Sequence, residues 1–103
     1  MFTKLVYFKY VIKIVHLSVR AKKDIAKLPA FIVNKLLAWA DDVEVRGLEE
    51  VRKISGYHDE PLKGDRKGQR SIRLNKAYRA IYIIKHDSTL EFVEIKEVNK
   101  HEY

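Results

Sequence analysis

Residues 69–98, QRSIRLNKAYRAIYIIKHDSTLEFVEIKEV, contain three runs rich in β-branched and aromatic side chains: Gln69 to Leu74, Tyr78 to Lys85 and Thr89 to Val98. The links between them are short and polar, as in successive hairpins, so this half of the chain reads as a β-meander. Just upstream, Ser55-Gly56-Tyr57-His58-Asp59-Glu60-Pro61 breaks any helix and reads as a loop. Before that loop, Ile32, Leu36, Trp39 and Val43 form one apolar stripe at helical spacing from about Ala30, with charged residues on the other face. Gly47 ends or bends this helix, although Leu48, Val51 and Ile54 could continue the stripe. A shorter helix precedes it. Ser18 offers an N-cap, Ala21, Ile25 and Leu28 recur at helical spacing, and Pro29 stops the run. Tyr10 to Leu17 is β-branched and aromatic enough to be a first strand.

The resulting order is β-α-α-β-β-β, and burying one sheet face against two helices gives a two-layer α+β domain. At 103 residues the chain is long enough for one core. It shows no repeat, low-complexity tract or linker, so residues 1–103 are expected to form a single domain. Its 47% apolar and 34% charged content is that of a folded chain. There is no cysteine, which excludes disulfides and thiolate metal sites. The apolar stretch Leu5 to Val19 is interrupted by Lys9, Lys13 and His16 and is too short and polar to span a bilayer, so no membrane partner is expected. The expected setting is the cytoplasm.

The net charge of +7 is uneven: residues 1–39 carry +7, 40–59 carry −3, 60–79 carry +5 and 80–103 carry −2. Two basic blocks of this kind attract polyanions, either nucleic acid or an acidic protein segment. From Glu60 to Arg79 there are seven cations against two carboxylates. Lys63, Arg66, Lys67, Arg70, Arg73 and Arg79 are therefore candidates for a phosphate-binding surface.

Cleaving RNA with side chains alone takes a base for the 2′-hydroxyl proton, an acid for the leaving 5′-oxygen, and cations for the charge that develops on phosphorus. Glu60 beside Pro61, strand residues Arg73 and Arg79, and the terminal His101 and Tyr103 are candidates for these roles. Each also has an ordinary structural reading: a solvated loop carboxylate, arginines on a polar sheet face, a frayed tail. His58 is the next candidate acid after His101. The four histidines are far apart and match no zinc spacing, and Gly64 and Gly68 match no phosphate loop, so neither a metal nor a nucleotide cofactor is expected.

Taken in order, Glu60-Pro61-Leu62-Lys63-Gly64, then Tyr78-Arg79-Ala80-Ile81-Tyr82, then a last strand closing on His101-Glu102-Tyr103, resemble the RelE/ParE superfamily of bacterial toxins, and within it the YoeB-like members. HigB-like toxins share the Pro-Leu-Lys-Gly segment but place histidine where this chain has Glu60. The resemblance spans roughly residues 10–103, with specific motifs in the second half. It implies a twisted antiparallel sheet, an mRNA interferase acting in the ribosomal A site, and a cognate antitoxin, which the positive charge suggests binds through an acidic segment. It also implies that Glu60 is the general base, Arg79 the phosphate-stabilising arginine, His101 the general acid, Tyr103 the group that stacks on or orients the substrate, and Lys63 a phosphate contact. Two features depart from YoeB-like chains: Glu102 separates the histidine from the tyrosine, and residues 1–9 precede the usual start of the first strand, as an extension or an upstream start.

Two other activities fit the same chain. A ParE-like toxin would have this fold and inhibit DNA gyrase without nuclease chemistry, and an RNA-binding module would need only the basic segment 60–79. The constellation of Glu60, Arg79, His101 and Tyr103 favours the enzyme over the gyrase poison, which needs no paired acid and base, and a carboxylate in a phosphate-binding cleft, which opposes binding, favours it over the RNA-binding module.

Overall fold

A computed structural model describes residues 11–88 and 90–100. The expected extension at residues 1–9, the proposed acid His101 and the proposed stacking residue Tyr103 lie outside that range.

Strand β1 (Val15–Leu17) leads into helix α1 (Val19–Ile25). Ser18 caps α1 as its sequence position predicts, its Oγ accepting from the Ala21 N–H at 2.9 Å. The same hydroxyl donates to the Lys96 carbonyl at 2.6 Å. Helix α2 (Ala30–Arg46) buries the predicted stripe of Ile32, Leu36, Trp39 and Val43. Gly47 then ends it: with φ +86° and ψ 150° it breaks the helical path, and Leu48 and Val51 continue burial on a separate short helix, α3 (Leu48–Val51).

The remaining strands are β2 (Glu60–Pro61), β3 (Arg70–Arg73), β4 (Tyr78–Asp87) and β5 (Leu90–Lys100). With β1 they form one five-stranded sheet in the order β1-β5-β4-β3-β2. The last three fall where the sequence predicts the meander. Three features differ from the sequence reading. The first strand, expected over Tyr10 to Leu17, begins only at Val15 among the described residues. The sheet is mixed, because β1 pairs parallel to β5, Val15 opposite Val93 and Leu17 opposite Ile95. The helices carry the chain from β1 to the far edge, and the odd number of reversals from β2 to β5 brings β5 back alongside β1 in the same direction. The segment read as loop also contains β2, a two-residue strand that no periodicity can reveal.

Beyond Leu17 the edge of β5 has no strand beside it among the described residues, and side chains of α1 take over. Besides the Ser18 bond to Lys96, Asp24 Oδ2 accepts from the Val98 N–H at 2.9 Å. Lys96 is an extra residue in β5, since Ile81 lies opposite Glu97 while Tyr82 lies opposite Ile95. The bulge re-aims the end of β5, and α1 satisfies the backbone groups there.

Alternation decides which sheet face meets the helices. Ile72, Ala80, Tyr82, Val93, Ile95 and Val98 are buried with the α2 stripe, and the Tyr82 and Trp39 ring centroids are 5.3 Å apart. Among the described residues no helix covers the other face.

Gly47 is the position at which an added methyl group should be most damaging. Its backbone lies in a region that essentially only glycine occupies, and a Cβ there would sit 2.5 Å from Val11 Cγ1. Gly47→Ala is expected to cost about 1–3 kcal/mol. Calorimetry should show a Tm lowered by roughly 4–8 °C per kcal/mol, and an unchanged Tm would mean that α2 and α3 rearrange freely at this joint.

Candidate functional site

The uncovered face is assembled by register. Glu60 lies opposite Ser71, Ser71 opposite Ile81, and Ile81 opposite Glu97. One step along, Arg73 lies opposite Arg79 and Arg79 opposite Asn99. Directly opposed residues in an antiparallel pair share a face, so these side chains project together.

The turn between β3 and β4 fixes the arginine pair. Asn75 Oδ1 accepts from the N–H groups of Ala77 and Tyr78, both at 2.8 Å, which tightens the reversal. Two guanidinium groups on opposed positions repel each other, an arrangement a purely structural sheet face disfavours. A carboxylate relieves part of this: Arg79 Nη1 is 3.6 Å from Glu60 Oε1, across β3. The Glu60 side chain is 48% exposed and that of Arg79 25%, so both can meet a ligand from solvent.

A shallow groove of about 460 Å³ adjoins this pair, with Ser71 and Ile81 in its floor and Leu62, Arg66, Arg79, Asn99 and Lys100 around it. Ser71 is buried and its Oγ has no hydrogen-bond partner. Arg66 belongs to a 3-10 turn, Gly64–Arg66, flanked by exposed Lys63 and Lys67. From there it reaches over the sheet to hydrogen bond with Glu97 on β5. Glu97 also lies 3.8 Å from Arg20 of α1. Partial burial pushes the Glu97 carboxyl up, but hydrogen bonds from Arg66 and Asn99 and the charges of Arg66 and Arg20 outweigh it, leaving the group below the ordinary glutamate value.

Of the residues singled out from sequence, Glu60, Arg66, Arg73 and Arg79 thus gather on one face, with Lys63 and Lys67 on the adjoining turn. Arg70 does not join them. It lies opposite Tyr82 on the helix-facing side of the sheet, where its Nε donates to Asp59 Oδ1 at 2.6 Å. Arg70 and Arg73 are three residues apart in one strand, an odd offset that sends them to opposite faces. His58 is an exposed left-handed residue, φ 51°, closing the turn before Glu60. His101 and Tyr103 fall outside the described residues, but Lys100 lines the groove, so the described part of β5 ends beside it.

Sequence reasoning missed Ser71, Glu97 and Asn99. Their alternation with Arg73 and Arg79 was available as a signal for Ser71, whereas Glu97 and Asn99 depend on the bulge at Lys96. It also missed Asp59, whose carboxylate is fully buried and accepts a second hydrogen bond, 2.5 Å, from the Tyr82 hydroxyl. Burial and the bond to Asp59 hold the Tyr82 phenol far above its ordinary pKa. Among the described residues no three His, Asp or Glu side chains come together as a metal site would require. No helix among them is long and apolar enough to cross a membrane.

No family model and no curated protein sequence matches the chain. Solved structures do resemble it. The YoeB/ParE toxin from Agrobacterium tumefaciens superposes with a TM-score of 0.66 at 18% identity, over 86% of this chain and 99% of that one. A chain of the RelBE2 toxin–antitoxin complex from Mycobacterium tuberculosis gives 0.61 at 25% identity, over 85% and 96%. A chain of the DinJ–YafQ toxin–antitoxin complex from E. coli gives 0.60 at 21% identity, over 84% and 90%. Each likeness extends over 84–86% of this chain, and this chain has the RelE/ParE-like toxin fold, the one shared with YoeB-like members.

Proposed function

We propose that this protein is the toxin of a type II toxin–antitoxin pair and that it acts as a ribosome-dependent mRNA endoribonuclease. The observation that supports this most is the meeting of Glu60 and Arg79 across β3, beside Arg73, on the open face of this fold. In the proposed reaction the Glu60 carboxylate removes the 2′-hydroxyl proton and the 2′-oxygen attacks the adjacent phosphorus. The bond to the 5′-oxygen breaks, leaving a 2′,3′-cyclic phosphate, and an acid protonates the departing oxygen. His101 is the residue proposed as that acid and Tyr103 as its neighbour on the substrate. Arg79, with Arg73 opposite it, stabilises the charge that builds on the phosphoryl oxygens.

Lys63, Lys67 and Arg66 extend the cationic surface beyond the reacting phosphate, as binding to mRNA and ribosome requires. The RelBE2 and DinJ–YafQ structures are complexes with antitoxins. For a chain of net charge +7, an acidic antitoxin segment over this face is the matching partner.

Primer extension on a translated mRNA, with and without ribosomes, tests the reading. Cleavage is expected only with ribosomes, and Glu60→Gln should slow its single-turnover rate by roughly 10² to 10⁴ while barely changing binding. Arg79→Ala is expected to lose about 10² or more, and Arg79→Lys to recover only part of it, because an ammonium lacks the guanidinium fork. A protein that cuts no RNA, with toxicity intact in Glu60→Gln, would instead be a gyrase poison of the ParE kind.

The Arg66–Glu97 pair generates a separate expectation, because Glu97 occupies a cation that phosphate could use. Glu97→Gln should steepen the dependence of log affinity on log salt by about 0.7, the increment for one added phosphate contact on a single strand. An unchanged slope in a titration against ribosomes would mean that Arg66 does not meet phosphate.

A further inference from the structure

We infer that Asp59 is a positioning residue whose buried carboxylate, held by Arg70 and Tyr82, fixes strand β2 so that Glu60 stands at Arg79. This rests on the nuclease reading for the role of Glu60. The clamp itself follows from the geometry.

Strand β2 is too short to hold itself. It has two residues, and one of them, Pro61, has no N–H to give to a ladder. The next backbone bond along, from Leu62 N–H to the Gln69 carbonyl at 2.9 Å, leads away into the basic turn. The Glu60 side chain is half exposed, and its contact with Arg79 is 3.6 Å, so packing does not place it.

The residue just before it is held firmly. The Asp59 side chain is 0% exposed, and each carboxylate oxygen has its own donor, Arg70 Nε at 2.6 Å and Tyr82 Oη at 2.5 Å. Arg70 and Tyr82 are directly opposed on β3 and β4, so Asp59 reaches from the β2 edge to the centre of the sheet. Tyr82 is itself buried against Trp39 of α2. Neighbouring residues of an extended strand point to opposite faces. Pinning Asp59 on the helix-facing side therefore turns Glu60 to the open side, and a slip of one residue would reverse both.

A buried, fully satisfied ion pair could equally serve the fold alone, and the test must separate the two roles. Tyr82→Phe removes one donor and keeps the ring that packs on Trp39, so it is preferred to Asp59→Ala, which would strand Arg70. Single-turnover cleavage on ribosomes, normalised to the folded fraction from circular dichroism, is measured in the wild-type and Glu60→Gln backgrounds. Tyr82→Phe is expected to slow wild type about ten-fold with ribosome affinity unchanged, since small misplacements of a reacting group cost rate rather than binding. In the Glu60→Gln background the same change should cost less than about two-fold, because the group being positioned is gone. Equal losses in both backgrounds, or no loss in either, would overturn the inference.

A second readout needs no activity. In Tyr82→Phe the Leu62 amide should exchange with solvent about ten-fold faster, while amides of the β4–β5 ladder keep wild-type rates. Unchanged exchange at Leu62 would overturn the clamp. Faster exchange confined to β2, in a protein that cuts no RNA, would uphold the clamp and refute the nuclease reading. Arg70→Gln should resemble Tyr82→Phe in both measurements and leave the salt slope of binding unaltered. A flatter slope would return Arg70 to the phosphate surface and overturn its place in the clamp.

Discussion

Among the described residues the helices cover only one face of the sheet, and every feature of the candidate site depends on that. A strand turns successive side chains to opposite faces, so covering one face sorts the residues of β3 and β4 into two chemistries. Ile72, Ala80 and Tyr82 close the core against Trp39 and its neighbours on α2. Ser71, Arg73, Arg79 and Ile81 are left on the other side. The apolar set fixes the register, because a one-residue slip would put arginines into the core and bulky aliphatics into water. The energy that folds the domain therefore also puts Arg73 and Arg79 on one face, and the Asn75 turn sets them opposite each other.

That alignment has an electrostatic cost that the protein retains. Arg73 faces Arg79 directly, and opposed like charges weaken a strand pair. Water on the open face screens the repulsion, and Glu60 at 3.6 Å offsets part of it. A phosphate entering between the guanidinium groups would meet donors already oriented, with the cost of gathering them met during folding. A carboxylate at the same place resists anion binding in the ground state, so the open face sets a group that opposes phosphate beside the cations that favour it.

The helix-and-meander part of this architecture was legible in the sequence because long, strongly patterned segments dictate it. The stripe Ile32, Leu36, Trp39, Val43 allows no other packing face, Ser18 marks the start of α1, and Pro29 marks the start of α2. Three features were not legible, for different reasons. The parallel pairing of β1 with β5 depends on where the crossover through α1 and α2 returns the chain, which local pattern does not encode. Strand β2 is shorter than any period. Asp59 looks like a solvated turn residue beside Glu60, and only the three-dimensional approach of Arg70 and Tyr82 makes it a buried carboxylate. Arg70 is a different case: its odd offset from Arg73 placed it on the opposite face, but the density of positive charge from Lys63 to Arg79 obscured that rule. The candidate site was legible to a similar extent, since Glu60 and Arg79 come from the motifs and Arg66 and Arg73 from the basic segment, whereas Glu97 and Asn99 reach the face only through the bulge at Lys96.

The sheet's two edges show why the candidate site sits where it does. An exposed strand edge invites pairing with other chains, and proteins blunt it with short strands, proline and charge. At one edge β1 has three residues, and beyond it α1 occupies the backbone of β5 through Ser18 and Asp24. At the other edge β2 has two residues, a proline, and a glutamate directed outward. The features that protect the β2 edge also leave Glu60 open to solvent at the rim of the sheet. A strand that short gains little from its own ladder, so its position has to be set by side chains anchored elsewhere. Asp59 reaches Tyr82 beneath the sheet, while above it Arg66 reaches Glu97 from the following turn. The edge segment is thus held from both faces by side-chain bonds, with Glu60 and Pro61 between the two anchors.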